Sequence, residues 1–431
     1  MRSFYKTILV RVLQVESRLV LWRYKPKIIV ITGSVGKTST KDAVFAILSQ
    51  VSYVRKSEKS YNSEIGLPLT ILGVPNGWNN LAVWLKDIAF GFWLFLAVHK
   101  YPEWLVLEVG VGKPGDMQKT ASWLRTDAVI ITAIGETPVH IEFFSSRKHL
   151  VEEKSGLIKT LKKDGLLVLN SDDETVLEMK TKSKHRTVTY GFGEGADVRG
   201  SGDSILYNST GEPAGVIYRV DEGGNSVPVV IEEVFGKNHV YASLAGLALS
   251  LGLKLNMLTA ANSLKNYDVP PGRMRLLKGI ESSLIIDDTY NSSPFACESA
   301  LKTLGEIKCE GRKIAILGDM LELGRHTQEA HKNIGKVAMA NADILITVGH
   351  RAEAIRDGAI EAGFKKKNIH EFLDSSEAKE FIKTFIEKGD LVLVKGSQGM
   401  RMERVVEAIL LDQENKKKLL VRQEKEWLQK K

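Results

Sequence analysis

The sequence predicts an α/β protein built around mostly parallel sheet, on three observations. Short apolar strand candidates alternate with helical patterns along most of the chain. A glycine-rich turn, Gly33-Ser34-Val35-Gly36-Lys37-Thr38, joins the apolar run Ile28-Ile29-Val30-Ile31 to a helical segment at 41–48. A second series of alternating strands and helices begins after Val269-Pro270-Pro271-Gly272. At 431 residues the chain has room for two or three domains.

Residues 1–25 read as one amphipathic helix. Phe4, Tyr5, Ile8, Leu9, Val12 and Leu13 form its apolar stripe, Arg2, Lys6, Arg11, Arg18 and Arg23 make the remainder basic, and Pro26 ends it. Residues 26–267 form the expected central domain, with strands at 28–31, 104–109, 128–132, 166–169 and 187–190. The stretch 196–235 alternates short strands with turns such as Glu222-Gly223-Gly224-Asn225, and is expected to be an antiparallel lobe on that domain. Residues 268–431 form the C-terminal unit, with strands at 284–287, 313–317, 344–348, 369–372 and 391–394. This is a doubly wound, Rossmann-like pattern, whose ligand edge lies at the carboxyl ends of the strands. Beyond Asp412 the tail is charged, helical and marginal.

Composition narrows the partners. Hydrophobic content of 43% and charge content of 26% fit a globular chain. The net charge of +8 is spread out, without zinc-finger spacing or an RNA-binding signature, so nucleic acid is not an expected partner. Cys297 and Cys309 form neither a C-x-x-C motif nor a disulfide framework, which fits a reducing cytoplasm. No signal peptide and no uninterrupted membrane-spanning run is evident. The apolar, aromatic stretch 88–98, with Trp78 and Trp84 upstream, suggests a buried helix or an interfacial segment. With the N-terminal helix it offers a peripheral membrane contact through residues 1–25 and 78–98. The blander reading is that both elements pack on the body of the protein.

The glycine-rich turn has the parts of a phosphate loop (P-loop). Glycine lets the backbone approach an anion, and the following helix directs its free N–H groups and positive dipole end at it. Lys37 can reach outer phosphates, and Thr38, followed by Ser39, can ligate Mg²⁺. The motif departs from G-x-x-x-x-G-K-[ST] in carrying Ile31 where a glycine is usual. Glu108 ends the apolar run 104–107 and reads as a hard oxygen ligand for the same Mg²⁺. His140 and Lys154 stay open on their own as structural histidine or ligand, and as solvated or functional lysine. Asn62 suits a turn or a substrate contact. In the second unit Arg273 can clamp a terminal phosphate, and the acidic pair Asp287-Asp288 can accept a ribose hydroxyl. Asp319, Lys395 and Ser397 follow two further strands on the same predicted edge.

From about residue 26 to about residue 411 these segments resemble the Mur ligase family. The resemblance rests on Thr32 through Thr38, Asn62 through Thr70, Leu107-Glu108-Val109-Gly110, His140-Ile141-Glu142 with Lys154, and Gly272-Arg273-Met274. It continues through Asp287-Asp288-Thr289-Tyr290-Asn291, the segment 317–324, Val394-Lys395-Gly396-Ser397 and Met400-Arg401-Met402-Glu403. The resemblance implies an ATP-dependent amide ligase that adds D-alanyl-D-alanine to a muramoyl-peptide carboxylate through an acyl phosphate. It implies Lys37 on the β/γ phosphates, Thr38 and Glu108 on one Mg²⁺, and His140 as ligand of a second. It implies a carbamoylated Lys154, ATP contacts from Arg273 and Asp288, and an amino-substrate site near Asp319 and Ser397. A related polyglutamate- or cyanophycin-type ligase and a catalytically silent nucleotide-binding scaffold stay open beside it.

Three departures accompany the resemblance. About 25 residues precede the phosphate-loop strand, too few for the family's uridine-nucleotide domain, so a differently presented, lipid-linked acceptor is one expectation beside a nucleotide-linked one. The segment Gly236-Lys237-Asn238-His239-Val240-Tyr241-Ala242 swaps two positions of the family's Gly-x-His-Asn-x-x-Asn and ends on Ala242, so adenine contacts there are expected to differ. Residues 78–98 fill a place where a short connection is usual.

Overall fold

The computed structural model describes residues 2–58, 61–78, 80–135 and 141–429, without the side chains of 2–5 and 141. Nine strands form the first sheet: β1 (Lys27–Thr32), β2 (Val54–Lys56), β3 (Trp104–Glu108), β4 (Thr126–Ile131), β5 (Leu161–Asn170), β6 (Arg186–Gly191), β7 (Val198–Tyr207), β8 (Pro213–Glu222) and β9 (Asn225–Glu232). Six form the second: β10 (Arg275–Lys278), β11 (Leu284–Asp288), β12 (Lys313–Gly318), β13 (Ile344–Val348), β14 (Ile369–Phe372) and β15 (Leu391–Lys395).

The first sheet runs β2-β3-β1-β4-β5-β6-β7-β8-β9, parallel as far as β7. Its central strands are apolar on both faces, as a sheet covered by helices on each side requires; Ile29, Val30 and Ile31 are fully buried. The chain leaves β1 between β3 and β4, so the glycine-rich turn lies where the connections diverge and a crevice opens. The antiparallel strands β7–β9, expected as a lobe on this domain, continue its main sheet through the β6–β7 pairing. The second sheet runs β10-β11-β15-β12-β13-β14, with only β10 antiparallel. Strands β2 and β10 were not anticipated; three and four residues carry too little periodicity to read.

The N-terminal helix Arg2–Tyr24 ends ahead of Lys25 and Pro26 and packs beside helix Leu81–Leu96. Its buried face is rotated from the expected stripe: Val10, Leu13, Glu16, Ser17 and Val20 point inward, whereas Ile8 is exposed. The apolar count along the helix hid this, because two of the inward positions are polar. Tyr24 ties the pair together by donating to the carbonyls of Leu94 and Ala97, 2.9 and 3.1 Å away. The apolar segment 88–98 is thus half of a helical pair, and no described helix is long and apolar enough to cross a membrane.

Glu16 is 1% exposed, and neither carboxylate oxygen has a hydrogen-bond partner among the described residues. It lies against Gly91, where a Cβ would come within 2.6 Å of Oε2. Burial raises its pKa from 4.5 to about 7. Below the unfolded value both states hold the proton. As pH rises through about 7 the folded state must ionise in a dry site, so stability falls. Glu16→Gln is therefore expected to raise Tm by a few degrees at pH 8 and to have little effect at pH 4.5. Thermal unfolding of both proteins at the two pH values checks this; equal shifts at both would contradict it.

The tail also differs from expectation. It is not marginal: Leu420 and Arg422 are buried against the second sheet's domain, and Arg422 holds the loop after β11.

Candidate active site between two α/β units

The glycine-rich turn is fixed by backbone geometry. Gly33 has φ of 145°, and a Cβ there would lie 1.9 Å from Thr132 Oγ1; Gly36 has φ of 85°. Both positions exclude a side chain, the first on space and the second on conformation. Ser34 and Val35 donate their amides to the carbonyl of Ala133, at 2.7 and 3.2 Å. Thr132 closes the other side by donating to the carbonyl of Val35 at 2.6 Å. Helix Lys37–Leu48 starts directly after the turn, four residues before its expected start at 41, with Lys37 in its first turn.

The Lys37 ammonium folds back over the turn, donating to the carbonyls of Gly33 at 3.0 Å and Ser34 at 3.4 Å. Burial lowers its pKa, the Glu108 carboxylate opposes that, and the Arg273 guanidinium adds to it. Thr38 donates to Glu108 Oε2 at 2.8 Å and accepts from Arg273 at 3.2 Å. Register places Glu108 opposite Ile31 on the neighbouring parallel strand, so the carboxylate emerges beside the turn. Asn62 donates to its other oxygen at 3.2 Å. Lys154, 3% exposed, donates to the carbonyl of Gly33 at 3.0 Å. Burial, with Lys37 nearby, holds its pKa well below the ordinary lysine value.

Gly33, Ser34, Val35, Gly36, Lys37, Thr38, Glu108, Asn62, Lys154 and Arg273 therefore share one site. Ser39 turns away to hydrogen-bond Tyr267. Asp288 forms a 2.6 Å ion pair with Lys395 and accepts the Met274 amide at 3.2 Å; burial raises its pKa, and the lysine opposes this. Lys395 thus serves Asp288 and does not join Asp319 and Ser397. Those two form their own pair of loops: the Ser397 amide donates to the carbonyl of Asp319 at 3.0 Å, and the Ser397 hydroxyl accepts from the amide of Leu321 at 2.8 Å. Asp319 also accepts from the amide of Ala352 and faces Arg351 at 3.6 Å. His140 lies outside the described residues.

Residues given no catalytic or ligating role from the sequence complete the surroundings. His239 donates through Nε2 to the carbonyl of Arg273 at 2.7 Å, which makes Nδ1 the acceptor for the Tyr267 hydroxyl at 2.9 Å. Burial lowers its pKa to about 4, so the ring is neutral. Tyr290 presents its ring to Arg273, whose Cζ lies 3.9 Å from the ring centroid. A cleft of about 1120 Å³ runs from Gly36 past Asp172, Asn238 and Tyr241 to Phe295 and Asn333 of the second unit. Asp172 and Asp173 follow β5, and their position at the carboxyl end of a parallel strand was the signal that could have found them. Asp173 fixes the β4 loop by accepting the amides of Ile134 and Gly135 at 2.8 and 3.2 Å.

The donor set fits a polyphosphate and a hard cation. Two buried polar atoms of these residues, Ser34 Oγ and Arg273 Nε, have no hydrogen-bond partner among the described residues. Thr38 Oγ1 and the Glu108 carboxylate supply oxygen, which suits Mg²⁺. Among the described residues, no cluster of three His, Cys, Asp or Glu side chains offers another metal site.

A phosphate loop on one sheet, met by an arginine from a second α/β unit, defines a two-domain P-loop protein. The chain belongs to the Mur ligase family: the Mur ligase middle domain matches residues 31–84 and 86–250, and the Mur ligase glutamate ligase domain matches 272–398. It is 29% identical to the UDP-N-acetylmuramoyl-tripeptide–D-alanyl-D-alanine ligase of Bacillus subtilis (strain 168) over 92% of this chain and 79% of that protein. Against the ligase of the same name from Escherichia coli (strain K12) the figures are 26%, 89% and 76%. The crystal structure of MurF ligase from Thermotoga maritima in complex with ADP superposes with a TM-score of 0.75 at 26% identity, covering 93% of this chain and 83% of that one.

Proposed function

We infer that this protein is an ATP-dependent ligase that joins D-alanyl-D-alanine to a muramoyl-peptide carboxylate in peptidoglycan precursor synthesis. The observation that carries the reading is the double engagement of Thr38, by Glu108 within the first sheet and by Arg273 across the cleft. The similarity to ligases bearing that name supports the choice of substrates. The division of labour follows the expected domains, 26–267 for ATP and 268–431 for the amino substrate.

In this reading the acceptor carboxylate attacks the γ-phosphorus of ATP and ADP leaves. The amine of D-alanyl-D-alanine then attacks the acyl carbon of the resulting acyl phosphate, losing a proton as inorganic phosphate departs. Such chemistry asks the protein for positioning and charge neutralisation. Lys37 would leave its loop carbonyls for the β/γ phosphates, and Arg273 would bridge from the second domain. Thr38 and Glu108 would hold Mg²⁺, which neutralises charge on the transferring group. Asn62 orients Glu108. Asp288, paired with Lys395, fixes the loop that carries Arg273, and Asp319 with Ser397 frames the amine-donor side. His140 is assigned to a second Mg²⁺.

Lys154 is proposed to be carbamoylated. Burial favours its neutral amine, the form that adds CO₂, and a carbamate there would turn the cation beside Lys37 into an anion. An intact-mass spectrum in bicarbonate buffer should carry the carbamate on wild type and lack it on Lys154→Met; identical spectra would remove this assignment.

Incubation with ATP, Mg²⁺, D-alanyl-D-alanine and a panel of nucleotide-linked and lipid-linked muramoyl-peptide acceptors, followed by mass spectrometry, tests the function. One acceptor should gain D-alanyl-D-alanine with stoichiometric ADP. Hydrolysis of ATP without any coupled product would favour the silent scaffold.

The reading includes a cytoplasmic enzyme touching an anionic membrane surface through residues 1–25 and 78–98. Trp22, Leu81, Trp93, Leu96 and Val98 are more than half exposed on the helical pair and its C-terminal exit. Its two acids, Glu16 and Asp87, are buried, while Lys6, Arg11, Arg18, Lys25, Lys86 and Lys100 are exposed. Aromatic side chains with purely basic exposed charge suit an anionic interface. The protein should co-sediment with phosphatidylglycerol vesicles and not with phosphatidylcholine vesicles, and Trp93→Ser with Leu96→Ser should reduce binding about tenfold. Absence of binding to either vesicle ends this part of the reading.

A further inference from the structure

We propose that Arg422, in the C-terminal tail, is a positioning residue for the nucleotide site. It lies beyond the segment matched by the family's domains, which ends at 398. The tail crosses the opening of the second domain, where Val421 contacts Gly272: a Cβ on that glycine would come within 2.9 Å of Val421 Cγ1. Arg422 then turns inward with φ of 58°, and its side chain is 4% exposed.

Its guanidinium spans three groups. One nitrogen donates to the Thr289 carbonyl at 3.1 Å and to Glu403 Oε2 at 2.8 Å; the other donates to the Tyr290 carbonyl. Glu403, 1% exposed, neutralises it and is held on its other oxygen by Arg401. Arg401 in turn donates to the carbonyl of Trp427 at 2.9 Å, so the tail is fastened on both sides of Arg422. A buried cation with these partners fixes the backbone of residues 289 and 290 far more firmly than an exposed ion pair would.

That backbone carries the Tyr290 ring. One side of the network is Arg422, with its Cζ 5.8 Å from the ring centroid; Arg273 packs at 3.9 Å and reaches across the cleft to Thr38. The Tyr290 amide donates to the carbonyl of Gly272 at 3.0 Å, joining the two loops directly. Arg422 therefore sets where Arg273 points without touching the cleft itself. The role rests on nucleotide binding at the phosphate loop, so the test separates the two.

The test compares wild type with Arg422→Lys, Arg422→Met, Arg273→Ala and the Arg422→Met/Arg273→Ala double variant. Calorimetry with a non-hydrolysable ATP analogue and Mg²⁺ first establishes binding to wild type; its absence would defeat the nucleotide reading, and with it this proposal. Given binding, Arg422→Met is expected to weaken the analogue tenfold or more, while leaving the KM for D-alanyl-D-alanine within twofold. The double variant should bind no worse than Arg273→Ala alone, because Arg422 acts through Arg273. Arg422→Lys keeps the charge against Glu403 but lacks the fork that spans both carbonyls. It should fold and show an intermediate loss. Unchanged binding in a folded Arg422→Lys or Arg422→Met protein, or additive losses in the double variant, would overturn the proposal.

Discussion

Replacing Lys37 with alanine is expected to cut phosphate release stimulated by D-alanyl-D-alanine by about 10²–10³-fold or more, to the background of the assay. The side chain is placed for one role. It opens the helix after the phosphate loop and lies across the turn, satisfied by two carbonyls that a bound polyphosphate would replace as partners. Alanine leaves the turn intact, because Gly33 and Gly36 and the Ala133 and Thr132 hydrogen bonds set its shape. The variant should therefore unfold within a degree or two of wild type. A coupled phosphate assay with thermal unfolding checks both parts; retained turnover would remove the lysine from the mechanism.

Glu108→Gln is expected to have the second largest effect, and to show it in the pH profile. The carboxylate does two things at once: it accepts from Thr38, and its charge opposes the lowering of the Lys37 pKa. Glutamine keeps an acceptor for Thr38 but removes the charge. Lys37 then loses the partner that favoured its protonated form, so its pKa falls further. Activity that needs the ammonium is lost at lower pH than in wild type. The alkaline limb of kcat/KM against pH should shift to lower pH, since that parameter reports the free enzyme. The Mg²⁺ concentration needed for half-maximal rate should rise about tenfold or more, as one anionic ligand is gone. An unchanged alkaline limb with an unchanged Mg²⁺ requirement would place Glu108 outside the site.

Much of the site could be read directly from residue order. The phosphate loop announced itself because strand, glycines, lysine and helix are adjacent in sequence and their geometry is local. Glu108 was legible for a related reason: an acid at the end of a wholly apolar run can only emerge at the carboxyl edge of a buried strand, which is where Ile31 pairs with it. Contacts made by distant segments were not legible. Nothing near His239 in sequence indicates that its ring holds the carbonyl of Arg273, or that Tyr290 carries the guanidinium. Lys395 was expected near Ser397 because they are two residues apart, but β15 ends at Lys395, which pairs in register with Asp288 on β11 and turns its ammonium to that carboxylate, while Ser397 lies beyond the strand. The N-terminal helix was rotated because Glu16 and Ser17 are buried against hydrophobic expectation. The tail was judged from its charge, yet its one inward arginine is neutralised by Glu403 and anchors the loop after β11.

The central claim is that this chain activates a carboxylate by phosphorylation in the cleft between its two α/β units. Supplying UDP-N-acetylmuramoyl-tripeptide, or its lipid-linked counterpart, with heavy oxygen in the accepting carboxylate tests it most directly. With ATP, Mg²⁺ and D-alanyl-D-alanine, one heavy oxygen should appear in each inorganic phosphate released, and none should be released by Lys37→Ala. Ligated product accompanied by unlabelled phosphate would contradict the account.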